Sequence, residues 1–189
     1  MKKIAVFVSG GGTNLQQIAD YFADNKGVKI ACVVSNNKNA YANQRAHNMN
    51  IPLIMVDKES FNDEAFTGKM VALGIDLIVL AGFLWLVPQH LINAFPNRII
   101  NIHPALLPKF GGKGFYGHHV HEAVIAAGEK ESGCTIHIAD GGCDTGRILI
   151  QKKVPVMPDD TPDTLYARIA PEEHKAIVEG LCLLAKELA

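Results

Sequence analysis

Short apolar runs alternate with stretches of helical periodicity along the whole chain, and this alternation restricts the fold more than any other feature. Strand, helix, strand in repetition builds a largely parallel sheet with helices on both faces. Ile4–Ser9 and Lys29–Ser35, rich in Ile and Val, predict the first two strands, and Leu53–Val56 a short third. Asp76–Ala81 is continuously apolar after its first residue, as a strand covered on both faces should be. Ile99–Ile102, Cys134–Ile138 and Ile148–Val154 complete the predicted strands. Between them, Asn14–Asp24 carries Leu15, Ile18, Ala19 and Phe22 at helical spacing. Helices are also predicted at Ala40–Met49, Asn62–Leu73 with Asn62 as N-cap, Pro88–Ala94 with proline in the first turn, and His118–Ala127. Thr161-Pro162-Asp163 opens a closing helix over Asp163–Leu188, with a break expected at Pro171.

With 189 residues, 48% of them hydrophobic and 20% charged, the chain has material for one domain spanning 1–189 around a substantial core. A formal net charge of −1 gives no reason to expect nucleic acid or an anionic membrane as partner. No apolar run is long enough to span a bilayer. Met1-Lys2-Lys3 looks like the start of a signal peptide, but Gly10, Gly11 and Gly12 cut the following apolar stretch short, so the strand reading prevails. Cys32, Cys134, Cys143 and Cys182 show no pairing or metal-like spacing, which makes the reducing cytoplasm the expected location. Nothing in the sequence fixes an oligomeric state.

Chemistry concentrates in Asn101-Ile102-His103-Pro104-Ala105-Leu106-Leu107-Pro108. On an extended segment Asn101 and His103 point to the same side. One is a neutral amide donor, and the other titrates near neutral pH. Pro104 lacks the N–H that a ladder needs and ends the strand. A polar pair at the carboxyl end of a buried strand is where open α/β folds place their sites.

Two glycine-rich loops flank this motif. Ser9-Gly10-Gly11-Gly12-Thr13-Asn14 joins the first strand to the first helix, where free N–H groups and a positive dipole end suit a phosphate. A dinucleotide fingerprint is excluded, since Leu15 stands at its third glycine and the second strand ends in Ser35-Asn36-Asn37 without an acid. No Gly-Lys-Ser/Thr follows, which excludes the nucleotide P-loop. A small phosphate monoester fits better. Asp140-Gly141-Gly142-Cys143-Asp144-Thr145-Gly146 offers a carboxylate on a turn, out of register for a calcium loop. Taken alone it is a solvated turn; it gains meaning if Asp144 reaches His103, whose charge and orientation a carboxylate would fix. Gly111–Gly117, with four glycines in seven positions, is expected to be mobile and is either a lid or a plain connection. Leu84-Trp85-Leu86-Val87 is either a core edge or an apolar wall for a flat ring. His118, His119 and His121 lack a fourth ligand at a recognisable spacing, so a surface helix start is preferred to a metal site.

Taken together these motifs resemble the folate-dependent phosphoribosylglycinamide formyltransferases, or glycinamide ribonucleotide transformylases. The likeness runs nearly end to end. It rests on Ser9–Leu15, Ala81-Gly82-Phe83, Asn101–Pro108, Asp144 with Gly146, Val154-Pro155-Val156 and Glu173-His174. The resemblance implies an α/β, Rossmann-like formyltransferase fold and transfer of a formyl group from 10-formyltetrahydrofolate, as co-substrate, to the amine of the ribonucleotide in purine biosynthesis, with no metal. It implies Asn101, His103 and Asp144 as the catalytic trio. Gly11, Gly12, Thr13 and Asn14 would hold the substrate phosphate, and Glu173, His174, Lys175 and Ala176 would touch the same substrate. Leu84, Trp85, Leu86, Val87, Asn101, Asp140, Gly141, Gly142, Cys143 and Asp144 would bind the folate. The chain departs from the family in lacking an arginine over Asn62–Phe66 and in the length of Gly111–Gly117. Asn-Ile-His-Pro-x-Leu-Leu-Pro is shared by several formyltransferases, so a formyltetrahydrofolate hydrolase or a transferase acting on another amine stays open. A non-catalytic nucleotide-binding regulator and a nicotinamide-dependent oxidoreductase are disfavoured.

Overall fold

The structure, a computed structural model, describes residues 1–24 and 27–188. Its elements run in chain order: β1 (Lys2–Val8), α1 (Thr13–Phe22), β2 (Val28–Ser35), α2 (Tyr41–Asn48), β3 (Leu53–Met55), α3 (Lys58–Asn62), α4 (Glu64–Ala72), β4 (Leu77–Leu80), α5 (Gln89–Ala94), β5 (Ile99–His103), α6 (His118–Ala126), β6 (Glu131–Ile138), β7 (Ile148–Pro155) and α7 (Pro162–Glu187). The strands form a seven-stranded sheet in the order β3-β2-β1-β4-β5-β6-β7. The pairs from β3 across to β5 are parallel. β5–β6 and β6–β7 are antiparallel. The mostly parallel, helix-covered sheet read from the alternation is therefore the architecture.

Alternation within each strand divides the core between the two faces. Ile4, Val6 and Val8 of β1 pack with α1, α2 and α7, while Ala5 and Phe7 pack with α3, α4 and α5. β4 does the same with Leu77 and Val79 against Ile78 and Leu80, which is why its sequence shows no polar face. On the second face Phe7 meets Phe61, Phe66 and Phe83 edge to face at 6.2, 5.9 and 5.4 Å.

Three local expectations are corrected. Asn62 does not cap a single long helix: Asp57 caps α3 through a capping box with Ser60, and Asp63 caps α4 by accepting from the Ala65 N–H at 2.8 Å. Pro88 lies at the N-cap of α5 in extended conformation rather than inside its first turn. α7 is not broken at Pro171. Proline there forfeits one backbone bond, but Leu165, Ile169, Ala176, Ile177, Leu181 and Leu184 bury one continuous stripe against the sheet, which outweighs that loss. Among the described residues no helix is long and apolar enough to cross a membrane.

The strand order reverses between β1 and β4, so the connections leaving their carboxyl ends diverge and open a crevice between them.

Candidate active site

That crevice is a cavity of about 860 Å³. Three strand ends supply its floor: Ser9–Asn14 after β1, Leu80–Val87 after β4, and Asn101–Pro104 at the end of β5. Gly112–His118, His121, the Gly141–Asp144 turn, Tyr166 and Glu173 form its walls. Apolar surface predominates, with a few converging polar groups, as in most small-molecule sites.

Asn101 and His103 lie two apart on β5 and both enter the cavity. Asp144 reaches them from the β6–β7 turn. Its Oδ2 is 3.5 Å from His103 Nδ1 and accepts the Gly112 N–H at 3.0 Å; its Oδ1 accepts from Asn101 Nδ2 at 3.3 Å. Asp144 has φ 60° and Phe110 φ 54°, left-handed conformations that cost an ordinary residue roughly 1–2 kcal/mol. At Asp144 this backbone turn is what presents the carboxylate to the strand end.

A fourth member was not read from the sequence. His137 on β6 stands opposite Asn101 in the antiparallel register. Its Nε2 is 3.1 Å from Asn101 Nδ2 and 3.4 Å from Asp144 Oδ1, and its Nδ1 is 3.0 Å from the Ile138 carbonyl. A neutral ring with its proton on Nδ1 accepts from Asn101; a protonated ring donates to Asp144. The signal that could have found it is the pairing register, which no local motif carries.

Electrostatics correct one expectation. Burial holds His103, 3% exposed, below the ordinary histidine pKa; Asp144 and the Phe110 carbonyl pull it upward without reversing the shift. The ring is therefore not kept charged by Asp144 alone. His103 Nε2–H donates to the Phe110 carbonyl at 2.6 Å, so a donor is present in the neutral ring. For Asp144, burial acts upward, but contacts with His137, the Gly112 amide and His103 prevail and keep the carboxyl below its ordinary value.

Gly11, Gly12, Thr13 and Asn14 all border the cavity. Beside them Glu173 is 7% exposed, and burial raises its pKa from 4.5 to about 7 against the opposing hydrogen bond from Asn14. Asn14 Oδ1 and His121 Nδ1 are buried with no hydrogen-bond partner among the described residues. Of the Glu173–Ala176 segment only Glu173 faces the cavity, because successive helical residues step about 100° around the axis. His174 lies off the cavity wall, Lys175 pairs with Glu172 at 2.7 Å on the surface, and Ala176 is in the core. Of the four residues expected to touch one ligand, the structure thus brings only Glu173 to the cavity wall.

Leu84, Trp85, Leu86 and Val87 line the cavity, with Leu84 and Leu86 exposed at 61% and 68%. Trp85 rests on Phe61 and Phe83 at 5.7 and 5.9 Å, so the aromatic core backs this wall. Gly141, Gly142, Cys143 and Asp144 face the cavity but Asp140 does not. Asp140 accepts from the Gly142 N–H at 3.1 Å and Thr145 Oγ1 at 2.8 Å and shapes the turn instead. His118 pairs with Asp163 at 2.9 Å and His119 with Glu122 at 3.2 Å. Among the described residues no group of three or more His, Cys, Asp or Glu side chains is arranged to hold a metal ion.

A family model described as formyl transferase matches residues 2–181. The phosphoribosylglycinamide formyltransferase of Haemophilus influenzae is 39% identical over 183 residues, covering 93% of this chain and 83% of the relative. The chloroplastic phosphoribosylglycinamide formyltransferase of Arabidopsis thaliana is 42% identical over 193 residues; 98% of this chain is covered, and the chain spans 66% of that relative's length, just under two thirds. The crystal structure of glycinamide ribonucleotide transformylase 1 from Symbiobacterium toebii superposes with a TM-score of 0.90 at 36% identity, covering 99% of this chain and 89% of the other.

Proposed function

Since the chain belongs to the formyl transferase family, we propose that it moves a formyl group from 10-formyltetrahydrofolate to the amine of 5'-phosphoribosylglycinamide. The products are the formylglycinamide ribonucleotide and tetrahydrofolate, a step of purine biosynthesis. The observation that carries this reading is the convergence of Asn101, His103 and Asp144 in a cavity that the glycine loop also lines.

The glycine loop takes the phosphate, in keeping with a helix N-terminus that offers unpaired N–H groups. Glu173 meets the sugar nearby. The folate ring lies along Leu84–Val87 and the Gly141–Asp144 turn, which brings its formyl group to the end of β5. The amine nitrogen attacks the formyl carbon, and the carbonyl electron pair moves onto oxygen. His103 Nε2–H and the Asn101 amide donate to that oxygen. For this the formyl oxygen takes the place that the Phe110 carbonyl holds on His103, and Asn101 exchanges an internal partner for substrate. The Asp144 carboxylate beside Nδ1 orients the ring and, when Nδ1 takes a proton from solvent, stabilises the imidazolium that then faces the developing oxyanion. The attacking amine gives up its proton, directly or through water, to Asp144. The tetrahedral centre then collapses: the bond from carbon to the folate nitrogen breaks, and that nitrogen takes up, directly or through water, the proton that Asp144 received, which restores the carboxylate.

Absorbance at the folate chromophore tests the reading. Wild-type protein is expected to consume 10-formyltetrahydrofolate only when the ribonucleotide is present. His103→Ala and Asn101→Ala should each lower kcat about a hundredfold, the usual cost of losing one oxyanion donor, with unchanged circular dichroism. Consumption independent of the amine, or near-normal turnover by His103→Ala, contradicts it.

A further inference from the structure

The glycine loop is held from behind, and the hold is made by residues outside the cavity wall. Four successive carbonyls each have a partner. Ser9 O accepts from Asn37 Nδ2 at 3.0 Å, Gly10 O from the Ala42 N–H at 3.0 Å, Gly11 O from Arg45 Nε at 2.9 Å, and Gly12 O from the Gln16 N–H at 3.0 Å. A trans peptide is planar, with its N–H directed opposite to its carbonyl. Holding the carbonyls of residues 9–12 therefore also sets the direction of the N–H groups of residues 10–13. Successive N–H groups set in this way can serve an anion.

Three of the four partners come from α2 or the turn before it, and two are side chains. Arg45 is the more committed. Its Nη1 also donates to Gln16 Oε1 at 3.1 Å, and its guanidinium lies 5.0 Å from the Tyr41 ring centroid. One side chain thus ties the loop to the first turn of α1 and stands on α2. Close packing confines the loop at Gly12: a Cβ there, where φ is 74°, would stand 2.7 Å from Ala42 Cβ and 3.3 Å from Arg45 Cδ, whereas Gly10 and Gly11 have open space on their Cβ side. Without the guanidinium the Gly11 carbonyl loses its charged partner and its peptide is free to rotate, carrying the Gly12 N–H out of line.

We propose that Arg45 is a positioning residue for the phosphate subsite: it presets the Gly11–Gly12 peptide so that the loop presents its N–H groups to a phosphate monoester. This deepens the functional reading above and rests on it for the identity of the substrate. The proposal concerns ground-state binding of the phosphate end alone, so it predicts a split between kinetic constants. Arg45→Met keeps the apolar stem over Gly12 and removes the donors. Its KM for the ribonucleotide and its Kd for inorganic phosphate, titrated calorimetrically into the whole protein, should each rise roughly tenfold, as for one lost charge-assisted hydrogen bond. The KM for 10-formyltetrahydrofolate and kcat at saturation should stay within about twofold, a difference below 0.5 kcal/mol. Arg45→Lys, which keeps a cationic donor, should recover most of the affinity, and it serves as the test should Arg45→Met not fold. An unchanged phosphate Kd in Arg45→Met, or equal losses in both KM values and kcat, overturns the proposal. A phosphate Kd that rises as expected in a protein without turnover of the ribonucleotide upholds the positioning role and overturns the substrate assignment instead.

Discussion

Glu173 shows what burial does to a single side chain. Its carboxyl is 7% exposed, and its pKa stands near 7 rather than 4.5. Between those two values the native state holds a proton that the unfolded chain has released. Stability conferred by the neutral form is complete below pH 4.5 and is lost as pH rises through about 7. The shift corresponds to about 3 kcal/mol. Urea unfolding of wild type and Glu173→Gln across this range should show the wild type losing stability relative to the variant by that order as pH increases; parallel profiles would contradict the assignment. Asn101 and His103 were legible as a pair because a period of two puts them on one side of a strand. His137 was not, because its relevance depends on the strand opposite Asn101. Asp144 was legible as a carboxylate on a glycine-rich turn, but its place beside His103 came only through resemblance, since a left-handed residue on such a turn gives no spacing from which its target can be read.

At the scale of elements, α7 is decided by packing rather than by local signals. Its start was legible in Thr161-Pro162-Asp163, and Thr161 indeed caps it through reciprocal bonds with Thr164. Its passage through Pro171 was not, because proline reports a local cost while the benefit lies in the stripe of buried residues on either side. Gly180 packs closely against the sheet: an added Cβ would stand 2.9 Å from Ile136 Cγ2 on β6. Gly180→Val should therefore overpack the contact by about 1–3 kcal/mol, more than its gain in helix propensity. At about 2–4 °C per kcal/mol for a chain of this size, Tm should fall by roughly 5 °C in a calorimetric scan. An unchanged Tm would show that α7 does not rest on β6 as tightly as the geometry requires. The split of the predicted Asn62–Leu73 helix is by contrast a matter of local capping: Asp57 caps α3, and Asp63, one residue beyond Asn62, caps α4.

For the whole molecule, the alternation of strands and helices sufficed to give the sheet, its parallel half and its covered faces. It did not give the antiparallel pairing of β5, β6 and β7, which brings His137 and the Asp144 turn over the end of β5. The site is thus a product of both halves: the parallel half supplies the crevice between β1 and β4, and the antiparallel half returns a carboxylate to it. Hydrogen bonding joins the glycine loop to the apolar wall too, since Ser9 Oγ accepts from the Leu84 N–H at 3.0 Å. Under the proposed function, a molecule built this way brings two ligands together so that one atom group passes between them. The most direct test follows that group. With the formyl carbon of 10-formyltetrahydrofolate isotopically labelled, the account predicts that the label is recovered on the amine nitrogen of the glycinamide ribonucleotide, one equivalent per tetrahydrofolate formed. Label recovered as free formate, with the ribonucleotide unmodified, would contradict it.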